Sequence, residues 1–413
     1  MNQFLKEIRK IFSQGPIGIY LMAFLIPLNP RMLGMAVAII IVEQLLRNVR
    51  IDKSHLKSQL SWRNPGVWLL LFYLMHIVGM INTENMGFAQ MDLGMKATLG
   101  ILPLFFMLYK VNVNWSFFIK AFILGAFVSI VVNVLMSLSG HLKIPDFYNM
   151  SGERLSNLMH RSYWATYLVL ACFFLLKQMI ASKSKRTSWM NLLGAFVMAV
   201  FVVLSGAKVG LVILFIVIIL VAISLFKRFD SRWVLPVTAA VLVLGIAAIF
   251  YLTPSIAERS ISAVSAVSKP IESFDKENTE STTARIMLWD SSLELIKENF
   301  WWGVGTGDIK DELIQRNYEN GYTGIAEKKL NSHNQFLNSH IAIGFFGSLF
   351  LMLSVVFNFL KFKSDELRDW RLGIIIILFV ALLPESMLET QAGIIPYAFF
   401  LSFLTAFKPT PKH

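Results

Sequence analysis

Long apolar runs separated by short polar segments follow one another along the chain. Twelve of them approach or exceed the length that a helix needs to cross a bilayer, and they cover residues 16–28, 32–47, 66–82, 97–109, 115–139, 162–181, 189–205, 207–227, 232–252, 336–360, 372–387 and 392–408. Lipid offers the backbone no hydrogen-bonding partner, so continuous apolar runs favour helices. The pattern predicts an all-α polytopic membrane protein with about 12 transmembrane helices.

The composition agrees with this prediction. Hydrophobic residues make up 55% of the 413 residues and charged residues 15%, whereas a soluble chain carries about a quarter charged residues. The single cysteine, Cys172, excludes an intrachain disulfide. The basic N-terminal segment could pass for a signal peptide, but the many apolar runs that follow favour an uncleaved first helix.

One apolar stretch is too long for a single crossing. Residues 188–226 contain one charged residue, Lys208, close to the middle. Because one crossing needs about 20 residues, the stretch is predicted to form two helices. The turn between them is predicted in the sequence SGAKVG at 205–210.

The distribution of charge predicts the orientation. With the N-terminus inside, the inner face carries 23 basic and 7 acidic residues, and the outer face carries 15 and 19. This is the positive-inside pattern of a protein with both termini on the inner side. The net charge of +12 is thereby explained without a nucleic-acid partner.

One loop on the outer face is far longer than the others. It divides the chain into residues 1–251 with nine helices, the loop 252–332, and residues 333–413 with the last three helices. Long loops in compact proteins tend to be functional. Within it, RIMLWDSSLELIKENFWWG predicts an amphipathic helix ending at Gly303, with an apolar face formed by Ile286, Leu288, Trp289, Leu293, Leu295 and Ile296.

Ionisable residues collect near the predicted outer ends of the helices. They are Arg154, His160, Arg161, Lys208, Arg285 and His333. Charges close to a bilayer are costly and therefore indicate a functional site. Several cations with a histidine suit an anionic, membrane-anchored substrate, because the cations bind phosphate oxygens and the histidine moves a proton.

Each of these residues also has a structural interpretation. His333 can lie at the start of a helix that Ser332 or Asn331 caps, and Lys208 can extend to lipid headgroups. Arg285 can balance the charges of Glu280 and Asp290. The GVGTGD segment lacks a preceding strand, so it indicates a turn more than a phosphate-binding loop. Trp301 and Trp302 fit an interfacial belt or a sugar-stacking site. Glu385 and Glu389 fit either acceptor-orienting groups or solvated residues, and no spacing of histidines and carboxylates indicates a metal site.

Three segments, taken in order, resemble a known family. SHNQFLNSHIAIGFFG is similar to the histidine–asparagine signature that follows the large periplasmic loop in the O-antigen ligase and polymerase superfamily. RIMLWDSSLELIKENFWWGVGTG resembles the arginine- and glycine-containing segment before it, and SGAKVG takes the place of a serine–arginine turn between two helices. The resemblance covers residues 151–407.

The resemblance implies a bacterial inner-membrane glycosyltransferase with a periplasmic site, without metal or cofactor. Its donor would be an undecaprenyl-pyrophosphate-linked glycan, and its acceptor a lipid A-core hydroxyl. His333 would be the general base, and Arg285 would bind the pyrophosphate and stabilise its charge. Lys208 would take the place of the family's arginine, and lysine lacks the planar two-point contact that arginine makes with phosphate. Arg161 or Arg154 would share the binding of the pyrophosphate. Acceptor-binding roles are expected for Asn334, Trp302 and Glu389.

The sequence leaves other activities open. An O-antigen polymerase would use a second lipid-linked glycan as acceptor, and a protein O-glycosyltransferase would use a protein hydroxyl. A lipid-linked glycan transporter is a different class. It would bury ionisable groups near the bilayer midplane and often has paired broken helices, whereas here the charges are predicted at the outer ends of the helices.

Overall fold

The protein is described from a computed structural model, which covers residues 16–47, 51, 53–139, 155–229, 233–252, 261, 264–279, 281–361 and 367–409. These residues are mostly helical, which confirms the predicted all-α class. The helices are α1 (Ile17–Leu25), α2 (Leu33–Leu46), α3 (Lys53–Gln59), α4 (Pro65–Val78), α5 (Met86–Lys96), α6 (Thr98–Leu108), α7 (Trp115–Ser139), α8 (Arg161–Ala181), α9 (Lys185–Leu204), α10 (Lys208–Phe229), α11 (Val234–Leu252), α12 (Ser281–Glu298), α13 (Ile309–Glu319), α14 (Thr323–Glu327), α15 (Gln335–Lys361), α16 (Arg368–Leu382) and α17 (Gln391–Ala406).

Two short strands join parts of the chain that are far apart in sequence. β1 (Val111–Val113) pairs in parallel with β2 (Phe407–Pro409). This pairing ties the end of α17 to the connection between α6 and α7. α17 also packs directly on α6, and its residues Phe399 and Phe403 contact Phe106.

Within the described ranges, six helical segments are long and apolar enough to cross a membrane. They are Met86–Leu108, Trp115–Ser139, Arg161–Ala181, Lys185–Leu204, Lys208–Arg228 and Gln335–Leu360, and shorter apolar helices cover Pro65–Val78 and Gln391–Ala406. Helices of this length and composition are those of a membrane protein. Twelve crossings and a periplasmic position for residues 252–332 stay predictions.

One of these segments begins earlier than the sequence pattern predicted. The predicted span starts at residue 97, but α5 extends the helical segment back to Met86. The pattern missed α5 because it contains Asp92 and Lys96, which look like loop residues. Both side chains are buried, and the Lys96 ammonium lies 2.7 Å from the Asp92 carboxylate. A buried ion pair at i and i+4 therefore allows charged residues to occupy the helix interior.

The hairpin predicted around Lys208 is confirmed. α9 ends at Leu204 and α10 begins at Lys208. Gly206 has a φ of 63°, which suits glycine because the left-handed region is strained for other residues. The buried Ser205 hydroxyl donates to the Val202 carbonyl and accepts from the Ala207 amide, so the turn satisfies its own polar groups.

The amphipathic helix of the long loop is present as α12, but its buried face differs from the predicted one. Leu293 was predicted to be on the apolar face, yet it is 48% exposed. The buried positions recur at intervals of three and four residues, as expected for one helix face, and they are Ala284, Met287, Leu288, Ser291, Ser292, Leu295 and Ile296. The serines fit this face because Ser292 donates to the Leu288 carbonyl and Ser291 accepts from Asn320.

Part of the GVGTGD segment, from Gly303 to Thr306, lies beside a break in α15, and we call it the strap. At the break, Ile343 and Gly344 leave the helical conformation, and Gly344 has φ 67° and ψ −166°. The Val304 and Gly305 amides donate to the Ile341 and Ala342 carbonyls at 2.8 and 3.0 Å. The strap therefore supplies donors to carbonyls that the interrupted helix cannot pair, and this explains the glycines as structural residues.

Gly344→Ala is expected to destabilise the protein by about 1–3 kcal/mol, because this backbone region is essentially restricted to glycine. An added Cβ would also clash with the Trp301 carbonyl oxygen. The midpoint of thermal unfolding of the detergent-purified protein measures the effect. Gly94→Ala is the matched control, since Gly94 lies in α5 and its Cβ would meet no atom within 4 Å. Equal midpoints for the two variants would contradict the structural role of Gly344.

Candidate active site

A polar cavity of about 350 Å³ opens where several distant segments converge. We call it the basic cavity, and its lining includes Arg161, Lys208, Arg285, His333 and Glu385. These residues come from the start of α8, the start of α10, the first half of α12, the segment before α15 and the segment after α16. Five of the ionisable residues that the sequence analysis selected, His160 included, are thus brought together from across more than 170 residues of chain.

His333 is held by a carboxylate. Its Nδ1 lies 3.1 Å from Glu385 Oε2, and the Glu385 side chain is 13% exposed. The second oxygen, Oε1, accepts from Arg285 Nη2 at 2.9 Å and from the Ser162 hydroxyl at 3.0 Å. A carboxylate only accepts hydrogen bonds, so His333 Nδ1 carries a proton, and in the neutral form of the imidazole the lone pair is then on Nε2. This is the arrangement in which a carboxylate orients a histidine base.

The carboxylate of Glu385 is held in its charged form. Burial of Glu385 works against ionisation, but the hydrogen bond and charge of His333, followed by the charges of Arg285 and His160, outweigh burial and lower its pKa. A lowered carboxyl pKa stabilises the folded protein at pH values above the ordinary pKa of glutamate. That stabilisation is lost as the pH falls through the lowered pKa. Glu385 is therefore an anion when it contacts His333.

The local sequence around His333 explains its position. The Asn331 side chain accepts from the His333 amide at 3.1 Å, and His333 itself has a φ of 45°. Asn334 then caps α15, because its Oδ1 accepts from the Phe336 and Leu337 amides at 2.9 and 3.1 Å. The Ser332 carbonyl accepts from Trp289 Nε1 on α12. The two asparagines thus fix the backbone on both sides of the histidine.

Two of the basic residues of the cavity lie at the first position of their helices. Arg161 is the first residue of α8, which His160 caps through its ring nitrogen. Lys208 is the first residue of α10, and its ammonium donates to Thr282 on α12 at 3.3 Å. Among the described lining residues there are three basic side chains from arginine and lysine and one carboxylate, Glu385. The excess of positive charge suits a phosphate-containing ligand.

The structure places the remaining predicted residues elsewhere. Asn334 is occupied as the helix cap, and the Trp302 side chain, 57% exposed, contacts Phe346. Glu389 lies in a different cavity, where its carboxylate is 3.2 Å from the Lys96 ammonium. Arg154 lies outside the described residues. In the part of the chain that is described, no group of three or more histidine, cysteine, aspartate or glutamate residues is arranged to hold a metal ion.

Glu385 was considered in the sequence analysis only as an acceptor-orienting or solvated residue, and its role beside His333 was missed. Its sequence context, PESMLET, showed a glutamate close to a helix end and nothing that distinguished it from Glu389. The distinction arises only from the fold, because Glu385 contacts His333 and Arg285, whereas Glu389 contacts Lys96. Both carboxylates belong to one short connection between α16 and α17.

Glu385→Gln is expected to lower the rate of the reaction that depends on His333 by about 10²–10⁴-fold. The glutamine keeps the shape of the side chain but loses the charge that stabilises the protonated imidazole. Its amide group can also donate toward Nδ1 and favour the wrong tautomer. The rate is measured with saturating substrates, and circular dichroism checks the fold. A Glu385→Gln variant with the wild-type rate would show that the carboxylate does not assist the histidine.

Comparisons with known proteins indicate which family the sequence is similar to. The profile of the family described as O-Antigen ligase matches residues 193–352. The matched region contains Lys208, Arg285 and His333, while Arg161 and Glu385 lie outside it. The match confirms the resemblance to the O-antigen ligase and polymerase superfamily.

One curated relative is an uncharacterized protein of Haemophilus influenzae. It is 26% identical over 164 residues, which make up 38% of this chain. The aligned region spans 40% of that relative's own length. Because this relative is uncharacterized, the similarity indicates no activity.

Proposed function

We propose that the protein is an O-antigen ligase, which transfers a glycan from undecaprenyl pyrophosphate to a hydroxyl of the lipid A-core oligosaccharide. The observation that carries the proposal is the His333–Glu385 pair at the wall of a cavity rich in cations. The family match over residues 193–352 supports a glycosyltransferase that uses lipid-linked glycans. The proposal places the enzyme in a bacterial inner membrane with both termini in the cytoplasm and the site on the periplasmic side.

In the proposed donor complex, the basic cavity holds the pyrophosphate. Arg285, Lys208 and Arg161 line it from three different helices, so they can surround a diphosphate from several directions. Arg154 is proposed to assist them. Fixed cations are most effective where charge develops during the reaction, and here the negative charge grows on the departing pyrophosphate. The leaving group then needs neither a proton nor a metal ion.

In the proposed transfer step, the acceptor hydroxyl attacks the anomeric carbon of the donor sugar. The bond between that carbon and the pyrophosphate oxygen breaks, and its electron pair leaves with the pyrophosphate. His333 Nε2 takes the acceptor proton as the new bond forms, and Glu385 stabilises the resulting imidazolium. A single displacement inverts the anomeric configuration. Asn334, Trp302 and Glu389 remain the predicted acceptor-binding residues.

The experiment that tests this proposal is glycan transfer by the purified full-length protein from an undecaprenyl-pyrophosphate-linked glycan. One reaction contains lipid A-core, a second contains the donor alone, and a third contains a peptide rich in serine and threonine. Glycosylated lipid A-core is the expected product. Longer lipid-linked glycans from the donor alone would identify the protein as a polymerase and not a ligase. Glycosylated peptide would identify it as a protein O-glycosyltransferase.

A further inference from the structure

We infer that a second cavity binds a sugar of the acceptor glycan, an inference that rests on the proposed transferase function. This second cavity has a volume of about 250 Å³, and its lining includes Phe88, Asp92, Lys310, Asn331, Asn338 and Glu389. It shares no lining residue with the basic cavity. A transferase needs places for two glycans, and the basic cavity accounts for the pyrophosphate of only one.

The second cavity contains amide groups that are held in place by their oxygen atoms. Asn331 Oδ1 accepts from the His333 amide, and Asn338 Oδ1 accepts from the Ser332 hydroxyl at 3.2 Å. Among the described residues, neither asparagine NH2 group donates to a protein acceptor within hydrogen-bond distance. Asn338 is 3% exposed, so its orientation is fixed by packing as well. The two NH2 groups are therefore preorganised donors for a ligand.

The second cavity also contains fixed acceptors. The carboxylates of Asp92 and Glu389 share the buried Lys96 ammonium at 2.7 and 3.2 Å. Lys96 already neutralises part of their charge, which makes this pair a poor cation site. A sugar hydroxyl both donates and accepts, so neighbouring hydroxyls can bond to an amide NH2 and to a carboxylate at once. Phe88 adds an apolar ring to the lining, and such a ring can cover the C–H face of a sugar.

The second cavity is connected to the residues of the proposed reaction by direct bonds. Asn331 holds the backbone of His333, and Glu389 lies four residues after Glu385 in the connection between α16 and α17. Gln335 joins the two segments, because its Oε1 accepts from the Leu388 amide at 2.6 Å. A sugar in the second cavity would therefore contact the same two segments that carry the histidine and its carboxylate.

The test uses Asn338→Asp, which keeps the oxygen that Ser332 needs and replaces the NH2 donor by an acceptor. Phe88→Ala is a second variant at the other side of the cavity, and Asn112→Asp is the control, since Asn112 is exposed and lies in β1. Initial rates give KM separately for lipid A-core and for the lipid-linked donor. The expected result is a rise of about tenfold or more in the acceptor KM in both cavity variants, because Asn338→Asp loses a hydrogen-bond donor to the sugar and Phe88→Ala loses the apolar contact with it. The donor KM should stay unchanged.

A binding measurement without donor separates this inference from the proposed function. Calorimetry with the core oligosaccharide released from lipid A, and separately with the repeat-unit oligosaccharide of the donor, gives the affinity of each for the wild type and the variants. Weaker binding of the core oligosaccharide in Asn338→Asp supports an acceptor site even if the wild type transfers no glycan, whereas weaker binding of the donor's repeat-unit oligosaccharide alone would overturn the inference. Binding and acceptor KM that are unchanged in both cavity variants would overturn the inference, and so would a rise in the donor KM alone.

Discussion

Replacement of His333 by alanine is expected to lower the rate of glycan transfer by about 10²–10⁴-fold, the usual contribution of a general base. The affinity for the lipid-linked donor should change little, because Arg285, Lys208 and Arg161 keep their places in the basic cavity. The acceptor hydroxyl would then have to lose its proton without a base positioned beside it. Transfer rates at saturating donor and acceptor measure the effect.

The same variant also tests whether His333 is only a structural residue. Its side chain is 29% exposed, and Asn331 and Asn334 bond to backbone groups and not to the imidazole. Alanine removes the hydrogen bond from the imidazole to Glu385, but Glu385 keeps its bonds to Arg285 and Ser162. The thermal unfolding midpoint should therefore fall only slightly while the rate falls strongly. Transfer at the wild-type rate in His333→Ala would remove the base assignment. A large fall in the unfolding midpoint would assign the loss of rate to the fold.

Arg285→Ala is expected to lower the transfer rate by about 10²–10³-fold, which is typical for loss of one group that stabilises charge in the transition state. Arg285 is predicted to have two roles. It holds Glu385 through a bond to Oε1 at 2.9 Å, and it lines the basic cavity where the pyrophosphate is proposed to bind. Arg285→Lys should recover part of the rate, since lysine keeps the charge but loses the planar contact with phosphate and carboxylate. Rates and donor affinity are measured for both variants.

Lys297→Ala is the matched control for Arg285→Ala. Lys297 lies on the same helix, α12, and its side chain is exposed outside the basic cavity. It therefore reports the effect of removing a positive charge from α12 without touching the site. Comparable losses in the two variants would mean that the overall charge of the helix, and not the position of Arg285, determines donor use.

The sequence was sufficient for features that depend on local patterns. The lone charge of Lys208 within a long apolar stretch predicted the turn that the structure has at 205–207. The selection of His333, Arg285, Lys208 and Arg161 rested on the cost of charge near a bilayer and on a family resemblance. The fold brings these four residues to one cavity, although their roles in a reaction remain predictions.

Features that depend on long-range pairing could not be predicted. Glu385 becomes a partner of His333 only because the connection after α16 folds onto the segment before α15. Asp92 and Lys96 resembled loop residues because their burial, and the contact of Lys96 with the distant Glu389, depend on the fold. The break in α15 at Gly344 could not be predicted from the sequence either. A glycine in an apolar helix has no special pattern until the strap from Gly303 to Thr306 is placed beside it.

The most direct test of the account is whether the purified protein forms a covalent glycan–acceptor bond. The protein is reconstituted in lipid vesicles with an undecaprenyl-pyrophosphate-linked glycan and lipid A-core, and products are followed by mass spectrometry. The account predicts glycosylated lipid A-core together with one undecaprenyl pyrophosphate for each glycan transferred. Movement of intact lipid-linked glycan across the vesicle membrane with no new glycosidic bond would contradict it and indicate a transporter.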